Sequence, residues 1–276
     1  MFDDRTQPLN HPRQQRRPLP RKLLWLVVGG CAVLVAALTL SAAKSSDPSA
    51  AAVTAGRTAT MVVDRETGAT LVESNSAEQF RSASLVKLLI AVDALTKPKW
   101  DPQVSRMLSL SDDKIASTLW SQNGAQTIVT RTAKTMGLKH TEPPAVAGRW
   151  GDTLLSAADV VTAYEYILAL PQAKRDFLLK ALRAVPRVAA DGMDQYFGIP
   201  RALDAWPWAI KQGWASGQGG TEAHTSGLVG EKDRYIVVVL SSYSQGADLG
   251  VAMKAVTSKT DEVARLLEAP SKPKKR

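Results

Sequence analysis

The sequence predicts an α+β domain in which both ends of the chain supply strands to one antiparallel sheet, with helices flanking it. Two observations support this class. Short β-rich runs lie near the start and near the end of the region 57–268, and the segments between them follow helical periodicity. No internal repeat interrupts this order, so we expect one domain over 57–268.

The first two strands are predicted to form a hairpin. The run TATMVVDRETGATLVESN contains two β-rich stretches around Asp-Arg-Glu-Thr-Gly, a composition that favours a turn. Residues 44–56, just before it, are rich in Ala, Ser and Gly and are typical of a flexible linker.

Helices are expected to dominate the middle of the chain. The first is predicted over 84–95, where the sequence is almost entirely apolar after Val86. Prolines and glycines divide the rest of the pattern into separate helices. These are expected over 112–121, 125–136, 156–170 and 173–185.

The end of the domain is predicted to return to the sheet. Three antiparallel strands are expected in WPWAIKQGW, EAHTSGLVG and DRYIVVVLSSY. A final helix is expected over 247–268, and a basic tail follows over 269–276.

The net charge of +9 is concentrated at the two ends of the chain. Residues 1–22 carry a net +4 and the closing KPKKR adds another +4, which leaves only +1 for everything between. A nearly neutral body argues against a nucleic-acid-binding surface, so we expect no nucleic-acid partner.

The segment 23–43 is uncharged, apolar and about 20 residues long, the length that a membrane-spanning helix needs. Because basic residues precede it closely, the positive-inside rule places 1–22 in the cytoplasm and the domain outside. We expect an uncleaved single-pass anchor in the plasma membrane. Two alternatives remain open, a cleaved signal peptide ending at Ala43 and a lipoprotein signal ending at Cys31.

Cys31 is the only cysteine, so the outer domain is expected to have neither a disulfide nor thiolate chemistry. The chain has three histidines and lacks Cys–His zinc patterns. We therefore expect no metal and no cofactor.

A lysine at the root of an apolar helix distinguishes the run FRSASLVKLLIAVDAL. Ser84 and Lys87 are three residues apart and share one helix face. Burial would lower the pKa of Lys87, and an easily deprotonated amine beside a hydroxyl can activate it as a nucleophile. In the structural alternative, Ser84 caps the helix and Lys87 reaches out to water. The spacing alone does not decide, because Ser111 and Lys114 repeat it.

Two later motifs complete an ordered set. The motif SDD at 111–113 begins a predicted helix, and KQG at 211–213 lies in a predicted strand. In this order the chain resembles the penicillin-recognising serine enzymes, meaning class A β-lactamases and D-alanyl-D-alanine peptidases, whose pattern is Ser-x-x-Lys, Ser-x-Asn and Lys-Thr/Ser-Gly. The resemblance covers roughly 57–268. It implies a β-lactamase-like fold with a trimmed helical lobe, since the interval between the first two motifs is short.

The resemblance assigns a role to each matching residue. Ser84 would be the nucleophile, Lys87 its activating base, and Ser111 would pass a proton to the leaving group. Lys211 would hold a carboxylate of the substrate. The backbone N–H groups of the nucleophile and of the residue after KQG would form the oxyanion hole. The other substrate-contact positions are Asp113, Gln212, Gly213 and Trp214.

Three departures from the family pattern are visible. Asp113 stands in place of Asn, and an ionised Asp cannot donate a hydrogen bond to a substrate carbonyl. Gln212 replaces a hydroxyl residue that touches the substrate carboxylate. Glu142 is the only glutamate in the short loop 140–152, and it lacks the Glu-x-x-Leu-Asn setting of the deacylation base, so we expect a solvated loop residue.

Three further residues near the last motif, His224, Trp206 and Trp208, are expected to be structural. His224 is expected to open the next strand and to be structural. Strand alternation places Trp206, Trp208 and Trp214 on the face opposite Lys211.

Two functions from different classes remain open. The first is a serine acyl hydrolase or transferase that acts, through an acyl-serine, on a cell-wall peptide of the D-Ala-D-Ala type or on a β-lactam. Within it, peptidase chemistry is favoured because a deacylation glutamate is not evident. The second is a non-catalytic envelope-binding module on the same fold, which the changes at Asp113 and Gln212 favour.

Overall fold

The computed structural model describes residues 56–268. Its centre is a five-stranded antiparallel sheet, whose strands are β1 (Arg57–Asp64), β2 (Ala69–Ser74), β5 (Trp208–Gly217), β6 (Gly220–Val229) and β7 (Tyr235–Tyr243). Their order across the sheet is β2-β1-β7-β6-β5. Strand β1 pairs directly with β7, so that Thr60 lies opposite Val239. The prediction of one antiparallel sheet made from both ends of the chain is therefore confirmed.

A second, two-stranded sheet was not expected. It joins β3 (Phe80–Arg81) to β4 (Leu154–Leu155), again antiparallel. At two residues each, these strands are too short to show the alternation on which strand prediction depends. Their pairing ties the segment just before Ser84 to the end of the loop 140–152.

Eight α-helices lie within residues 56–268, and four of them match the predicted helices of the middle region to within two residues at each end. A short 3-10 turn, Ala83–Val86, leads directly into the first of the eight helices, Lys87–Ala94. Sequence reasoning did not anticipate the helix Gln103–Ser109. The eight are α1 (Lys87–Ala94), α2 (Gln103–Ser109), α3 (Asp113–Gln122), α4 (Gln126–Met136), α5 (Ala157–Ala169), α6 (Gln172–Arg183), α7 (Ile199–Ala202) and α8 (Leu249–Glu268).

The sheet separates two apolar layers. Along β7, Val238 and Leu240 pack into the large core under α1 and α5, whereas Val237 and Val239 pack towards α7 and α8. This division follows from the alternation of side chains along a strand. Every residue of α1 is buried, and all of them except Lys87 and Asp93 are apolar.

The start of α1 packs closely against the edge strand β5. A Cβ atom on Gly213 would lie 3.1 Å from the backbone oxygen of Ser82 and 3.3 Å from Leu85. Only a glycine allows this approach without displacing its neighbours. The contact brings the turn that carries Ser84 next to the strand that carries Lys211.

Candidate active site

Ser84 lies at the floor of a cleft of about 350 Å³ between the 3-10 turn, the start of α3, the loop 148–152 and the end of β5. Its residue is only 5% exposed. The preceding residue, Ala83, has a φ of +44°, a left-handed conformation that is unusual for a residue with a Cβ atom. Such strain is typical of functional sites, and here it sets the direction of the turn that presents Ser84.

Lys87 is completely buried and has four oxygen atoms around its Nζ. Ser84 Oγ lies at 2.7 Å, the backbone oxygen of Ser111 at 3.0 Å, Ser111 Oγ at 3.2 Å and Asp113 Oδ1 at 2.5 Å. Burial lowers the pKa of Lys87, and the carboxylate of Asp113 opposes that effect. Because Lys87 has no access to water and Ser84 is not the N-cap residue, the structural alternative for this pair is excluded.

Ser111 bridges the two lysines. Its Oγ lies 2.9 Å from Lys211 Nζ and 3.2 Å from Lys87 Nζ. Lys211 is 1% exposed and also donates to the backbone oxygen of Gln212 at 2.8 Å. Burial and the nearby charge of Lys87 hold the pKa of Lys211 well below its usual value. The four polar atoms therefore form one continuous chain from Ser84 to Lys211.

The start of α3 positions Ser111 in this chain. Asp112 is the N-cap of α3, and its carboxylate accepts hydrogen bonds from the backbone N–H groups of Lys114 and Ile115. Ser111 itself has a φ of +53°. The cap and this left-handed residue turn Ser111 and Asp113 towards the same amine, Lys87.

Trp150, in the loop 140–152, covers the buried amine. Its ring centroid lies 4.7 Å from Lys87 Nζ, and its indole nitrogen donates to Ser117 Oγ at 3.1 Å. A cation beside an aromatic face is stabilised, and water is kept away from it. Sequence reasoning missed this residue, because a single aromatic side chain in a loop carries no periodic signal.

A larger cleft of about 470 Å³ lies elsewhere, between Trp206, Arg234 and Tyr235. Two of its charged side chains, Arg234 and Glu66, are paired with each other at 3.1 Å, and Arg234 is also paired with Asp64 at 2.8 Å. We place the candidate active site in the smaller cleft because that one contains a serine hydroxyl in contact with an amine.

Comparison with known proteins agrees with this geometry. No protein-family model matches the chain. Among solved structures, PBP-A superposes with a TM-score of 0.63 at 16% identity, over 80% of this chain and 94% of PBP-A. The β-lactamase from Streptomyces albus G superposes with a TM-score of 0.58 at 18% identity, over 78% and 98% of the two chains. An ancestral class A β-lactamase gives a TM-score of 0.58 at 19% identity, over 77% and 93%.

The chain has the fold of the penicillin-recognising serine enzymes. At identities below 20%, these neighbours establish the fold of the scaffold and leave its activity to be argued from the site. The β-lactamase-like fold expected from the ordered motifs is therefore confirmed.

Sequence relatives come from mycobacteria. The protein described as "Putative lipoprotein LppW" in Mycobacterium tuberculosis is 36% identical over 210 residues, 71% of this chain and 66% of the relative. The same description and values apply to the protein from Mycobacterium bovis. This chain thus spans just under two thirds of the length of the curated relatives that it matches.

The mycobacterial relatives correct the expected localisation. They are described as lipoproteins, which a covalently attached lipid holds at a membrane, whereas we expected a single-pass helix over 23–43. In the part of the chain that the structure describes, no helix combines the length and apolar character needed to cross a membrane. The single-pass plasma-membrane localisation is therefore wrong, and the segment 23–43 lies outside the described residues.

Asp113 lines the cleft, as expected of a substrate contact, but its carboxylate also has a partner within the protein. Its Oδ1 contacts Lys87, although its side chain is 61% exposed and lines the cleft. Sequence reasoning identified the residue and missed its partner, since the substitution of Asn by Asp shows a change of charge without showing which group receives it.

Gln212 faces away from the cleft, which corrects its assignment as a substrate contact. Its side chain is buried and its amide nitrogen donates to the backbone oxygens of Gln195 and Phe197, at 3.1 and 2.6 Å. Alternation along β5 explains this, because Lys211 and Gly213 occupy the cleft side of the strand and Gln212 the other.

Trp214 departs from the predicted alternation. Its ring lies 5.7 Å from Lys211 Nζ and lines the cleft, instead of packing on the opposite face. Its indole nitrogen donates to Asp191 Oδ2 at 3.0 Å, which draws the ring towards the rim of the cleft. Trp206 and Trp208 do pack on the opposite face, against the cluster that includes Val263 of α8.

Glu142 and His224 lie outside the cleft. Glu142 is exposed and accepts a hydrogen bond from Gln79 at 2.9 Å, as expected of a loop residue. His224 lies in the middle of β6 rather than at its start, and it is completely buried. Its Nδ1 accepts from the backbone N–H of Ser241 and its Nε2 lies 2.8 Å from the backbone oxygen of Arg81. Burial lowers its pKa, so a neutral ring holds β3 in place.

Proposed function

We propose that the protein is a serine acyl hydrolase or transferase that attacks a peptide-like or β-lactam carbonyl through Ser84. The observation that carries the proposal is the unbroken chain of contacts from Ser84 Oγ through Lys87 and Ser111 to Lys211, with steps of 2.7, 3.2 and 2.9 Å. A buried amine in contact with a hydroxyl is the arrangement that activates a serine nucleophile.

The proposed reaction begins when Ser84 Oγ bonds to the carbonyl carbon and gives up its proton to the amines beside it. The backbone N–H groups of Ser84 and Trp214, which both line the cleft, would receive the developing negative charge. Ser111 then returns a proton to the leaving group, and the acyl group remains on Ser84. The substrate class we favour is a cell-wall peptide of the D-Ala-D-Ala type.

The cleft is poorly equipped to hydrolyse the acyl-serine. Glu142 lies outside it, and Trp150 covers the amine next to Ser84. Asp152 lines the cleft, but its carboxylate is paired with Arg149 at 2.5 Å and with Arg81 at 3.5 Å. Both carboxylate oxygens of Asp152 thus already accept hydrogen bonds from guanidinium groups. We therefore favour peptidase-like or transferase chemistry over that of an efficient β-lactamase.

A non-catalytic binding module is the second candidate. Two observations favour it, the ion pair of Asp113 with Lys87 and the turning of Gln212 away from the cleft. An amine held as an ammonium ion cannot accept a proton from Ser84 until it loses its own. The same fold would then bind an envelope ligand without attacking it.

One experiment separates the two candidates. The purified full chain is incubated with a fluorescent penicillin, and its intact mass is then measured. An enzyme of the proposed type gains the mass of one penicillin, and Ser84→Ala does not. Because Ser84→Ala removes one oxygen atom from a nearly buried side chain, it preserves the fold. Absence of an adduct with penicillin and with a D-Ala-D-Ala thioester would favour the binding module.

We also propose that Cys31 carries a lipid. The support is the run VGGC behind a basic flank, together with the description of the mycobacterial relatives as lipoproteins. Protein extracted from membranes should show the added mass of a diacylglyceryl group, and Cys31→Ser should abolish it. An unmodified cysteine in membrane-extracted protein would contradict this proposal.

A further inference from the structure

Two amines share a single hydroxyl in the site. Lys87 Nζ and Lys211 Nζ lie 3.2 and 2.9 Å from the same atom, Ser111 Oγ, and both side chains are buried. Two ammonium ions this close would repel each other in a region from which water is excluded. The structure therefore favours a state in which one of the two lysines is neutral.

Asp113 distinguishes the two amines. Its carboxylate lies 2.5 Å from Lys87 Nζ. By contrast, among residues 56–268 the hydrogen-bond partners of Lys211 are two neutral oxygens, Ser111 Oγ and the backbone oxygen of Gln212. A buried ammonium without a carboxylate partner pays its desolvation uncompensated, so the charge belongs on Lys87.

The other charged groups around the amines do not alter this assignment. Asp112 faces Lys87 from the start of α3, but its carboxylate caps that helix and binds Arg106 at 3.0 Å. Asp191 acts on both lysines from the loop before α7, and its Oδ2 accepts from Trp214. An effect common to both amines does not decide between them.

We propose that Lys87 is the charged amine and Lys211 the neutral one, and that Lys211 takes up the proton of Ser84 through Ser111 and Lys87. This inference rests on the proposed function, and it gives the two lysines resting charges opposite to those expected of a base at Lys87 and a carboxylate-binding cation at Lys211. In it Asp113 is a positioning residue, because it acts on the proton of Lys87 rather than on the substrate.

The assignment fixes the direction of each hydrogen bond along the chain. A neutral amine has two N–H donors and one lone pair. Lys211 donates one N–H to the backbone oxygen of Gln212. A neutral Lys211 would use its lone pair to accept the hydroxyl proton of Ser111 across the 2.9 Å contact between Lys211 Nζ and Ser111 Oγ. Ser111 Oγ in turn accepts an N–H of Lys87. With the protons so placed, the two hydrogen bonds between Lys87 and Lys211 both point towards Lys211. At the other end Lys87 donates to Ser84 Oγ, so Lys87 must lose a proton before it can accept one from Ser84.

The proton transfers balance in two steps. First, Lys87 gives a proton to Ser111 Oγ while the hydroxyl proton of Ser111 passes to Lys211, which becomes an ammonium ion. Second, the neutral Lys87 takes the proton of Ser84 as Ser84 Oγ bonds to the carbonyl carbon and the carbonyl oxygen becomes an oxyanion. When the intermediate collapses, Lys211 returns its proton through Ser111 to the departing nitrogen. Both lysines then regain their resting charges.

The direction of each pKa supports the geometry. Burial lowers the pKa of both lysines, but the carboxylate of Asp113 counteracts it at Lys87. At Lys211 the carboxylate of Asp113 also raises the pKa, but it makes no hydrogen bond there and has less effect than burial and the positive charge of Lys87, which both lower it. Both influences favour a neutral Lys211 at neutral pH.

The test is a pH titration of lysine side chains by NMR in the purified full chain, which carries lysine labelled with ¹³C at Cε. Lys211→Met and Lys87→Met assign the two signals. At pH 7 we expect the Lys211 signal of a neutral amine and the Lys87 signal of an ammonium ion. In Asp113→Asn the midpoint of Lys87 should fall by about one pH unit or more. The matched control is Asp152→Asn, a cleft carboxylate that contacts neither amine, and it should move neither midpoint.

A charged Lys211 at pH 7, or an unchanged Lys87 midpoint in Asp113→Asn, would overturn the charge assignment. Because Asp113 is exposed, its substitution does not endanger the fold. The titration uses the resting protein and needs no substrate, so it can fail while Ser84 is still acylated. Conversely, the expected titration without acylation of Ser84 would reject the proposed function and the proton transfer with it.

Discussion

Replacing Lys87 with Met removes the amine while keeping a side chain of similar length. Lys87 is completely buried, and its stem lies beside the buried apolar residues of α1. Methionine adapts well to such surroundings. The perturbation therefore tests proton transfer with little change of packing.

The effect on stability follows from the partners of Lys87. Loss of its charge-assisted hydrogen bond to the buried backbone oxygen of Ser111 costs about 1.5–3 kcal/mol. The desolvation of the ammonium ion, several kcal/mol, also disappears. Asp113 is 61% exposed, so its carboxylate returns to water and is not left buried alone. We expect the free energy of unfolding to change by less than about 2 kcal/mol, a shift in Tm below about 8 °C.

Reactivity should respond far more strongly. Removal of a positioned proton acceptor typically lowers a rate about 10² to 10⁴-fold, so labelling of Ser84 by a fluorescent penicillin should fall by that factor in Lys87→Met. The matched control is Lys114→Met, which removes the exposed lysine of the second Ser-x-x-Lys match. It should leave both the melt and the labelling time course unchanged.

Two results would contradict the proposed role of Lys87. Labelling that proceeds at the original rate in Lys87→Met would show that the amine takes no part in activating Ser84. A loss of stability above about 3 kcal/mol would show that Lys87 holds a buried ion pair, because breaking such a pair costs about 3–5 kcal/mol.

Three further predictions concern the groups around this amine. In Asp113→Asn the pH at half-maximal labelling should fall by about one unit, because a charge at 2.5 Å is worth about 1.7 kcal/mol even at the dielectric constant of water; an unchanged pH–rate profile would count against the pair. Trp150→Ala should shorten the lifetime of the penicillin adduct, followed by intact mass, since water gains access to the acyl-serine; equal lifetimes would remove Trp150 from the account. Between the lowered pKa of Lys211 in the folded chain and about 10.4, the value for an unfolded lysine, Lys211 is neutral when folded and charged when unfolded. Unfolding therefore takes up a proton in this pH range, and the free energy of unfolding rises with pH. Denaturant titrations should show a smaller rise in Lys211→Met, and an identical slope would mean that Lys211 is charged in the native state.

Much of the fold could be predicted because its elements are regular. The run of α1 contains helix-forming Leu and Ala, whereas the short run of β7 is rich in β-branched Val and Ile, and this composition distinguishes a buried helix from a buried strand. The helix α2 and the pair β3–β4 could not be predicted in the same way. They are short, and tertiary pairing rather than local pattern determines them.

The candidate site was predictable to the level of residue positions. Ser84, Lys87, Ser111 and Lys211 meet in one cleft, in the arrangement that the ordered motifs suggest. The contacts that these side chains make were harder to infer than the positions of the residues in the sequence. The contact of Asp113 with Lys87 depends on the left-handed turn at Ser111, which no pattern of residue types reveals.

Trp150 and Gln212 are two further residues whose contacts could not be predicted from the sequence. Whether a loop aromatic lies over an amine depends on how the loop 140–152 packs, and Gln212 turns away because acceptors from a distant loop lie behind the strand. Sequence motifs identify chemical groups, whereas the charge state and the exposure of those groups depend on neighbours far along the chain.

The most direct test of the account is the site of covalent attachment. The full chain is labelled with a fluorescent penicillin, digested, and mapped by tandem mass spectrometry. The account predicts one modified residue, Ser84, with labelling lost in Ser84→Ala and reduced at least 100-fold in Lys87→Met. An adduct on any other residue, or labelling that survives Ser84→Ala, would contradict it.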